Sequence, residues 1–509
     1  MNFKAVSNKV IIVLPLVIFG AFFPFVLFAQ TAPPEPYGPV PSPRQISWQQ
    51  TNMYCLIHFG LNTFTDKEWG YGNVSPEKFN PSHFDADQIV AAAKAGGFKG
   101  IIFVAKHHDG FCLWPTKTTG YNISKSPFEN GKGDVVKAFE SAARRYGMKF
   151  GIYCSPWDRH SKYYGTYKYV QLYREQLKEL YTHYGPLFEV WFDGANGGNG
   201  YYGGKNTTIN IDRTTYYGWD TTWNDMVRKL QPNAVIFSDV GPDLRWVGNE
   251  GGHADETSWE TFTPVPLAGQ TGYGPGYVDY SHSPAGTRDG RYWMPAECDV
   301  PLRPGWFFHN DQNDQVKTPQ QLFDIYLASV GRGAALDLGL APDMEGRLYK
   351  KDVESLKEFE KILNKTFARN LAEGATFKAS NIRGNNPRLY GPHNILDKNP
   401  FTYWATDDSV TTPYLILSLK GQKRFNIISI GEDIKLGQRV GAFAVDAWIN
   451  DQWQQIAEAT SIGNLRLIRL PEYIRTDQVR LRITSSPVCP AISEFGLYAE
   501  YTRKETHKS

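Results

Sequence analysis

The run LFEVWFDG (187–194) decides how the first two-thirds of this chain is read. It is a short apolar segment that reads as a buried strand, and it stops abruptly at a carboxylate, Asp193, followed by Gly194. Other apolar runs upstream end in the same way. YCLIHFG (54–60) delivers His58, FKGIIFVAKHHDG (98–110) delivers His107, His108 and Asp109, and MKFGIYCSPWD (148–158) delivers Tyr153, Trp157 and Asp158. Successive strands with polar side chains only at their C-terminal ends predict a parallel barrel with its site on that rim. On this reading Asp193 faces the centre of the site.

The segments between these runs support the barrel. Asp85 caps DADQIVAAAKAGG (85–97), and Asp134 caps DVVKAFESAARRYG (134–147). A third helix over 167–184 has Val170, Leu172, Tyr173, Leu177 and Leu180 at helical spacing, and Gly185-Pro186 breaks it before the Asp193 strand. Three helix–strand repeats in a row argue for βα units in a parallel sheet. After Asp193, a Gly-, Asn- and Tyr-rich insertion (195–212) is placed to flank or cover a site. AVIFSDVG (234–241) is a fifth strand. The stretch 243–301 reads as irregular, holds Glu250, Glu256, Glu260 and Glu297, and leaves strands six and seven unlocated. Thr318-Pro319 opens another helix, 334–340 is an apolar strand, and a helix over 352–363 closes the ring. From about Asn370 the helical spacing gives way to short alternating strands at 414–419, 425–430, 442–449, 465–470 and 478–484, a β-sandwich signature. The expectation is an α/β chain: a (β/α)8-type barrel over 30–368, then a β-sandwich over 369–509.

The N-terminus has two lysines, an apolar run from Val10 and a small residue, Ala29, before Gln30, which predicts a secretory signal over 1–29. No cysteine follows the run, which argues against a lipoprotein anchor, and no other membrane segment is visible. The product is expected outside the cytoplasm, in the periplasm or extracellular space. Five widely spaced cysteines suggest no disulfide framework, and the common zinc signatures are absent. A net charge of +2 with balanced acids and bases carries no nucleic-acid footprint. The 14% aromatic share suits either a large core or sugar faces stacking on rings.

The rim groups His58, His107, His108, Asp109 and Asp193, with at least one glutamate, allow two chemistries. One is a divalent-metal hydrolase, which needs ligands from several strand ends. Strand one offers a single His where metal barrels commonly present a pair, which weakens that reading. The other is a glycosidase, which needs two carboxyl groups together with hydroxyl readers and a stacking aromatic. Asp193 fits the nucleophile, because a strand end fixes it. It is a poor helix cap, since Gly-Ala-Asn-Gly-Gly follows it.

HFG (58–60), KHHDGF (106–111), GIYCSPWD (151–158) and above all VWFDG (190–194) resemble glycoside hydrolase family 29, the retaining α-L-fucosidases, over about residues 45–365. The resemblance implies Asp193 as nucleophile and His58, His107, His108, Glu68, Trp69 and Tyr153 as fucose-binding residues. No cofactor and no metal is implied. The partner is a fucosylated oligosaccharide or glycoconjugate, and oligomeric state is left open. FSDVGPDLRWVGNEGG (237–252) and AECDVPLRPGWFFH (296–309) are similar to the subfamily that releases α-1,3- or α-1,4-linked fucose from branched Lewis-type glycans. That similarity implies Glu250 as acid/base, with Glu297 as second choice, and Trp306 as a wall of the sugar pocket. Double displacement through carboxyl groups about 5–5.5 Å apart then retains the anomeric configuration. A broad fucosidase acting on α-1,2 or α-1,6 linkages and aryl fucosides is the alternative, and a non-hydrolytic glycan binder is a third. NILDKNPFTYWAT (394–406) and EFGLYAEY (494–501) are similar to discoidin-like modules, including family 32 carbohydrate-binding modules, here read slightly in favour of a buttress for the barrel.

Overall fold

The computed structural model describes residue 1 and residues 31–501; apart from residue 1, the export segment expected over 1–29 lies outside the described residues. Eight parallel strands close a barrel: β1 (Met53–Ile57), β2 (Gly100–Lys106), β3 (Lys149–Cys154), β4 (Glu189–Trp191), β5 (Val235–Ser238), β6 (Leu244–Trp246), β7 (Ala296–Pro301) and β8 (Ala335–Leu340). They follow one another around the ring in chain order, and Cys55 pairs with both Ile101 on β2 and Leu338 on β8 to close it. Every residue of β1 and β2 is buried, because each strand faces helices on one side and the barrel interior on the other. Cys55 and Ile57 join the core between strands and helices, whereas Tyr54 and Leu56 point inward among Ile102, Val104, Tyr153 and Trp191.

The helices form where the caps and spacing predict. Asp85 accepts from Gln88 N–H at the start of α1 (Ala86–Ala95), and Asp134 accepts from Lys137 N–H at the start of α2 (Val135–Arg145). Each such cap contributes about 1 kcal/mol. The helix α3 (Tyr167–His183) precedes the Asp193 strand. Thr318 and Gln321 make a reciprocal capping box at α4 (Pro319–Ala328), and α5 (Lys350–Phe367) completes the ring.

The stretch 243–301 corrects the irregular reading: it contains β6 and β7. Residues 239–243 alone join β5 to β6, so no helix marks the boundary. Arg245, fully buried in β6, donates to the carbonyls of Ser283, Met294 and Trp259. A buried arginine hides the strand from any hydropathy reading. In β7 the carboxyls of Glu297 and Asp299 alternate with Cys298 and Val300, which makes the run look like loop.

The C-terminal region is one antiparallel sheet in the order Trp404–Ala405, Ala491–Tyr498, Tyr414–Glu432, Arg466–Ser485, Ala442–Ile449, Gln452–Thr460, with Thr376–Ala379 added beside Tyr414–Glu432. The runs expected as separate strands at 414–419 and 425–430 are one strand, as are those at 465–470 and 478–484, with pairing that shifts between Ser418 and Lys423 and between Phe425 and Ile427. Both halves of each strand feed one apolar core, including Leu415, Leu417, Ile428, Ile430, Leu470 and Leu481. The sheet is fastened to the barrel. Leu467 N–H donates to Gly331 O at 2.7 Å, Arg469 pairs with Asp324 of α4 at 2.9 Å, and Glu260 accepts from Asn464 N–H at 2.6 Å. No helix among the described residues is long and apolar enough to cross a membrane. All five cysteines are buried and unpaired.

Candidate active site

The backbone fixes the rim before any side chain acts. His58 N–H donates to Leu340 O at 3.0 Å, which extends the β1–β8 ladder by one residue, and Phe192 N–H donates to Phe237 O at 3.1 Å, which holds the residue preceding Asp193. At the C-terminal ends of the strands lies a cavity of about 590 Å³. Nine of the ten expected site residues line it: His58, Glu68, Trp69, His107, His108, Tyr153, Asp193, Glu250 and Trp306.

Asp193 is held from two sides. Its Oδ1 accepts from Ala195 N–H at 2.6 Å and its Oδ2 accepts from Tyr153 O–H at 2.8 Å. Burial raises its carboxyl above the usual range, and these two bonds oppose the rise. The insertion after Gly194 therefore begins with the amide that steadies the carboxylate. Glu250 is exposed at the cavity edge; burial of its carboxyl raises it, a hydrogen bond from Trp306 opposes, and the charges of Asp193 and Glu68 push it further up.

The histidines are neutral. Burial lowers His58 to about 3, reinforced by His108, and lowers His108 to about 3, reinforced by Arg159 and Lys106. His107 falls well below its ordinary value for the same first reason, with His108 adding to it. A neutral imidazole has one donor and one acceptor nitrogen, so three of them can read a set of hydroxyls. His108 Nε2 stands 3.7 Å from Asp193 Oδ2, and its Nδ1 meets Ser155 Oγ at 2.7 Å. Trp69, 53% exposed, stands edge-on to His108, and Trp306 lies 5.1 Å from the His58 ring. Glu68 does more than line the cavity: its carboxylate accepts from Trp306 N–H at 2.9 Å, Phe307 N–H at 3.2 Å and His309 Nε2 at 2.7 Å, so it ties down the segment that carries Trp306.

Glu297, the second choice for the acid, lies apart from the residues that line the cavity. It is fully buried inside the barrel and accepts from Tyr54 O–H at 2.5 Å and Trp191 Nε1 at 2.7 Å. It neighbours Glu189 and Asp337, and burial raises all three carboxyls. Asp109 and Asp158 also lie off the cavity: Asp109 accepts from Phe111 N–H, while Asp158 accepts from the His160 and Ser161 amides and faces Lys106. Asp239, Asp299, Trp246, Tyr280 and Arg213 line the cavity and escaped the sequence reading. Asp239 had a signal, since it ends the AVIFSDVG strand as Asp193 ends its own. Among the described residues no three of His, Cys, Asp and Glu are grouped to hold a metal ion.

The α-L-fucosidase family model matches residues 19–366, and the F5/8 type C domain model matches 376–500. Over 470 residues the chain is 40% identical to alpha-L-fucosidase 1 of Arabidopsis thaliana, covering 92% of this chain and 89% of that one. The chain belongs to the α-L-fucosidases of glycoside hydrolase family 29. Two solved structures are similar to this fucosidase throughout. A glycoside hydrolase 29 family member from an unknown rumen bacterium is 39% identical with a TM-score of 0.81, covering 93% of this chain and 80% of its own. A Ruminococcus gnavus fucosidase of the same family, solved in complex with fucose, is 30% identical with a TM-score of 0.81, covering 92% and 97%. The C-terminal sheet of this fucosidase is thus of the F5/8 type C, or discoidin-like, kind.

Proposed function

We propose that this fucosidase is exported and retaining, and that it releases α-1,3- or α-1,4-linked fucose from branched Lewis-type glycans by double displacement. One observation carries the reading: Asp193, steadied by Tyr153 and the Ala195 amide, and Glu250, an edge residue whose partly buried carboxyl is raised above its usual range, open onto one cavity. A strand-end carboxylate with fixed oxygens suits attack on the anomeric carbon. A raised carboxyl at the edge, where the rest of the glycan leaves, suits proton donation to the glycosidic oxygen. Glu250 then takes a proton from water, which opens the fucosyl-Asp193 ester with retention.

His58, His107, His108 and Trp69 surround the space that fucose would fill, and Trp306 offers the apolar wall its methyl group needs. The apolar run from Val10 to Ala29 supports export, with the catalytic region at 30–368 and the discoidin-like module at 369–509. The test is a kinetic comparison on a Lewis-type trisaccharide, 2′-fucosyllactose and an aryl α-L-fucoside. Turnover far faster on the branched sugar than on either of the other two supports the reading. Fast cleavage of the aryl fucoside and of the 1,2-linked sugar overturns the linkage assignment and reopens the choice of Glu250.

A further inference from the structure

A second cavity, of about 560 Å³, lies directly behind the catalytic one. Three separate segments turn consecutive residues to the two sides. Arg213, Asp239 and Gly276 line the catalytic cavity, whereas Thr214, Val240 and Pro275 line the second. Consecutive Cα atoms are about 3.8 Å apart, so only the thickness of a backbone separates the two spaces.

The partition is firmly held. Gly274 and Tyr277 exchange backbone hydrogen bonds of 3.1 and 2.8 Å, Arg213 donates to Gly276 O at 2.6 Å, and Asp239 Oδ2 accepts from Gly276 N–H at 2.5 Å and Tyr280 O–H at 2.7 Å. A Cβ at Gly276 would stand 1.7 Å from Gly194 O, so the loop presses backbone to backbone on the residue after Asp193. Behind it, Trp219 and Trp223 stack at 5.3 Å, and both pack edge-on against Phe192, the residue before Asp193.

The lining has the chemistry of sugar recognition. Tyr273 is 38% exposed and offers an open ring face, while Tyr292 is half-buried with Arg291 over its ring. Asp220, Thr221 and Asn224 are exposed polar groups on the same cavity, and no Lys, Arg or His lines it. Rings that take C–H faces, beside acceptors and donors for hydroxyls and with the Asp220 carboxylate in the lining, fit a neutral polyol ring rather than an anion, although Arg291 stands over Tyr292. The volume falls in the range of small-molecule sites, about 300–1,000 Å³.

We propose that this second cavity is a sugar subsite, which takes a neutral sugar residue of the same glycan that presents fucose to Asp193. The inference rests on the reading of the catalytic cavity as one that cleaves fucosylated glycans. Its test has a readout independent of that reading: calorimetric titration of the full-length protein with unfucosylated N-acetyllactosamine, for the parent and for Asn224→Ala and Tyr273→Ala. Both residues line the second cavity, and neither lines the catalytic one. The expected result is measurable binding that weakens about two- to tenfold in each variant, the effect of losing one stacked ring or one polar partner.

A parallel loss in kcat/KM, carried by KM, is expected on fucosylated oligosaccharides longer than a trisaccharide, with the variants and parent equal on an aryl α-L-fucoside. No binding of N-acetyllactosamine, or binding that neither variant changes, overturns the subsite. If the subsite binds but no fucosylated substrate is cleaved, the catalytic reading fails while the subsite stands.

Discussion

Removal of a single hydroxyl, in Tyr153→Phe, tests how Asp193 is kept ionised. Tyr153 O–H donates to Asp193 Oδ2 at 2.8 Å, and this bond opposes the burial that raises the carboxyl. The substitution keeps the ring, and with it the contacts to His107 at 6.0 Å and Trp191 at 5.1 Å, so packing changes little. A hydrogen bond to a charged group contributes about 1.5–3 kcal/mol. Asp193 leaves 21% of its side chain open to solvent, so water replaces part of the lost bond and the lower end of that range applies. A loss of about 1.4 kcal/mol lowers the ionised fraction about tenfold on the acid side of the titration.

The sign follows directly. The hydroxyl stabilises the ionised form, its removal raises the Asp193 titration, and the acid limb of kcat/KM moves to higher pH. The assay is kcat/KM against pH on an aryl α-L-fucoside with a good leaving group, which minimises the demand on Glu250. The expected result is a loss of about tenfold at the acid end that shrinks towards neutral pH. A uniform loss at every pH, with the acid limb unmoved, would refute the claim that Tyr153 tunes the charge of Asp193.

Glu250→Gln should cost on the order of 10²–10⁴ in turnover of a fucosylated glycan, much less on an aryl fucoside with an acidic phenol, and should erase the basic limb of the pH profile. Equal losses on both substrates would remove Glu250 as the acid. In Gly194→Ala the new Cβ would meet Asp239 Oδ2 at 2.0 Å and Gly276 N at 2.9 Å, so the loop over the site must shift. The expected destabilisation is about 1–3 kcal/mol, seen as a lower Tm together with reduced kcat, and a variant neutral in both would show that the contact is dispensable. Where the module meets the barrel, burial pushes Glu260 and Glu432 each up to about 7. Both bind protons more tightly folded than unfolded, so the stability they contribute is present at acid pH and is lost as pH rises through about 7. Calorimetry should show Tm falling across that window, with a smaller fall in Glu260→Gln; an unchanged slope would remove Glu260 from the linkage.

The sequence by itself determined the elements whose signals are local. Asp85, Asp134 and Thr318 mark helix starts because a short polar side chain satisfies an amide three residues on, and that needs no distant partner. The strands ending at His58, His107 and Asp193 are legible because both of their faces are buried, which forces largely apolar runs with polar groups gathered at the rim, Glu189 at the start of β4 being the exception. His58, His107, His108, Tyr153 and Asp193 meet in one cavity for that reason, whereas Glu68, Trp69, Glu250 and Trp306 reach it from loops. Only the tertiary structure decided the rest. Glu297 sits two residues before Asp299 on one strand, and which of the two reaches the cavity depends on depth along the barrel axis, not on spacing. The strand around Arg245 is invisible to hydropathy because its stability comes from carbonyls at residues 259, 283 and 294. The partition at Gly276 and the cavity behind it exist only because segments from 213, 239 and 276 converge on one strand end. Long-range contacts of that kind leave no periodicity in the chain that makes them.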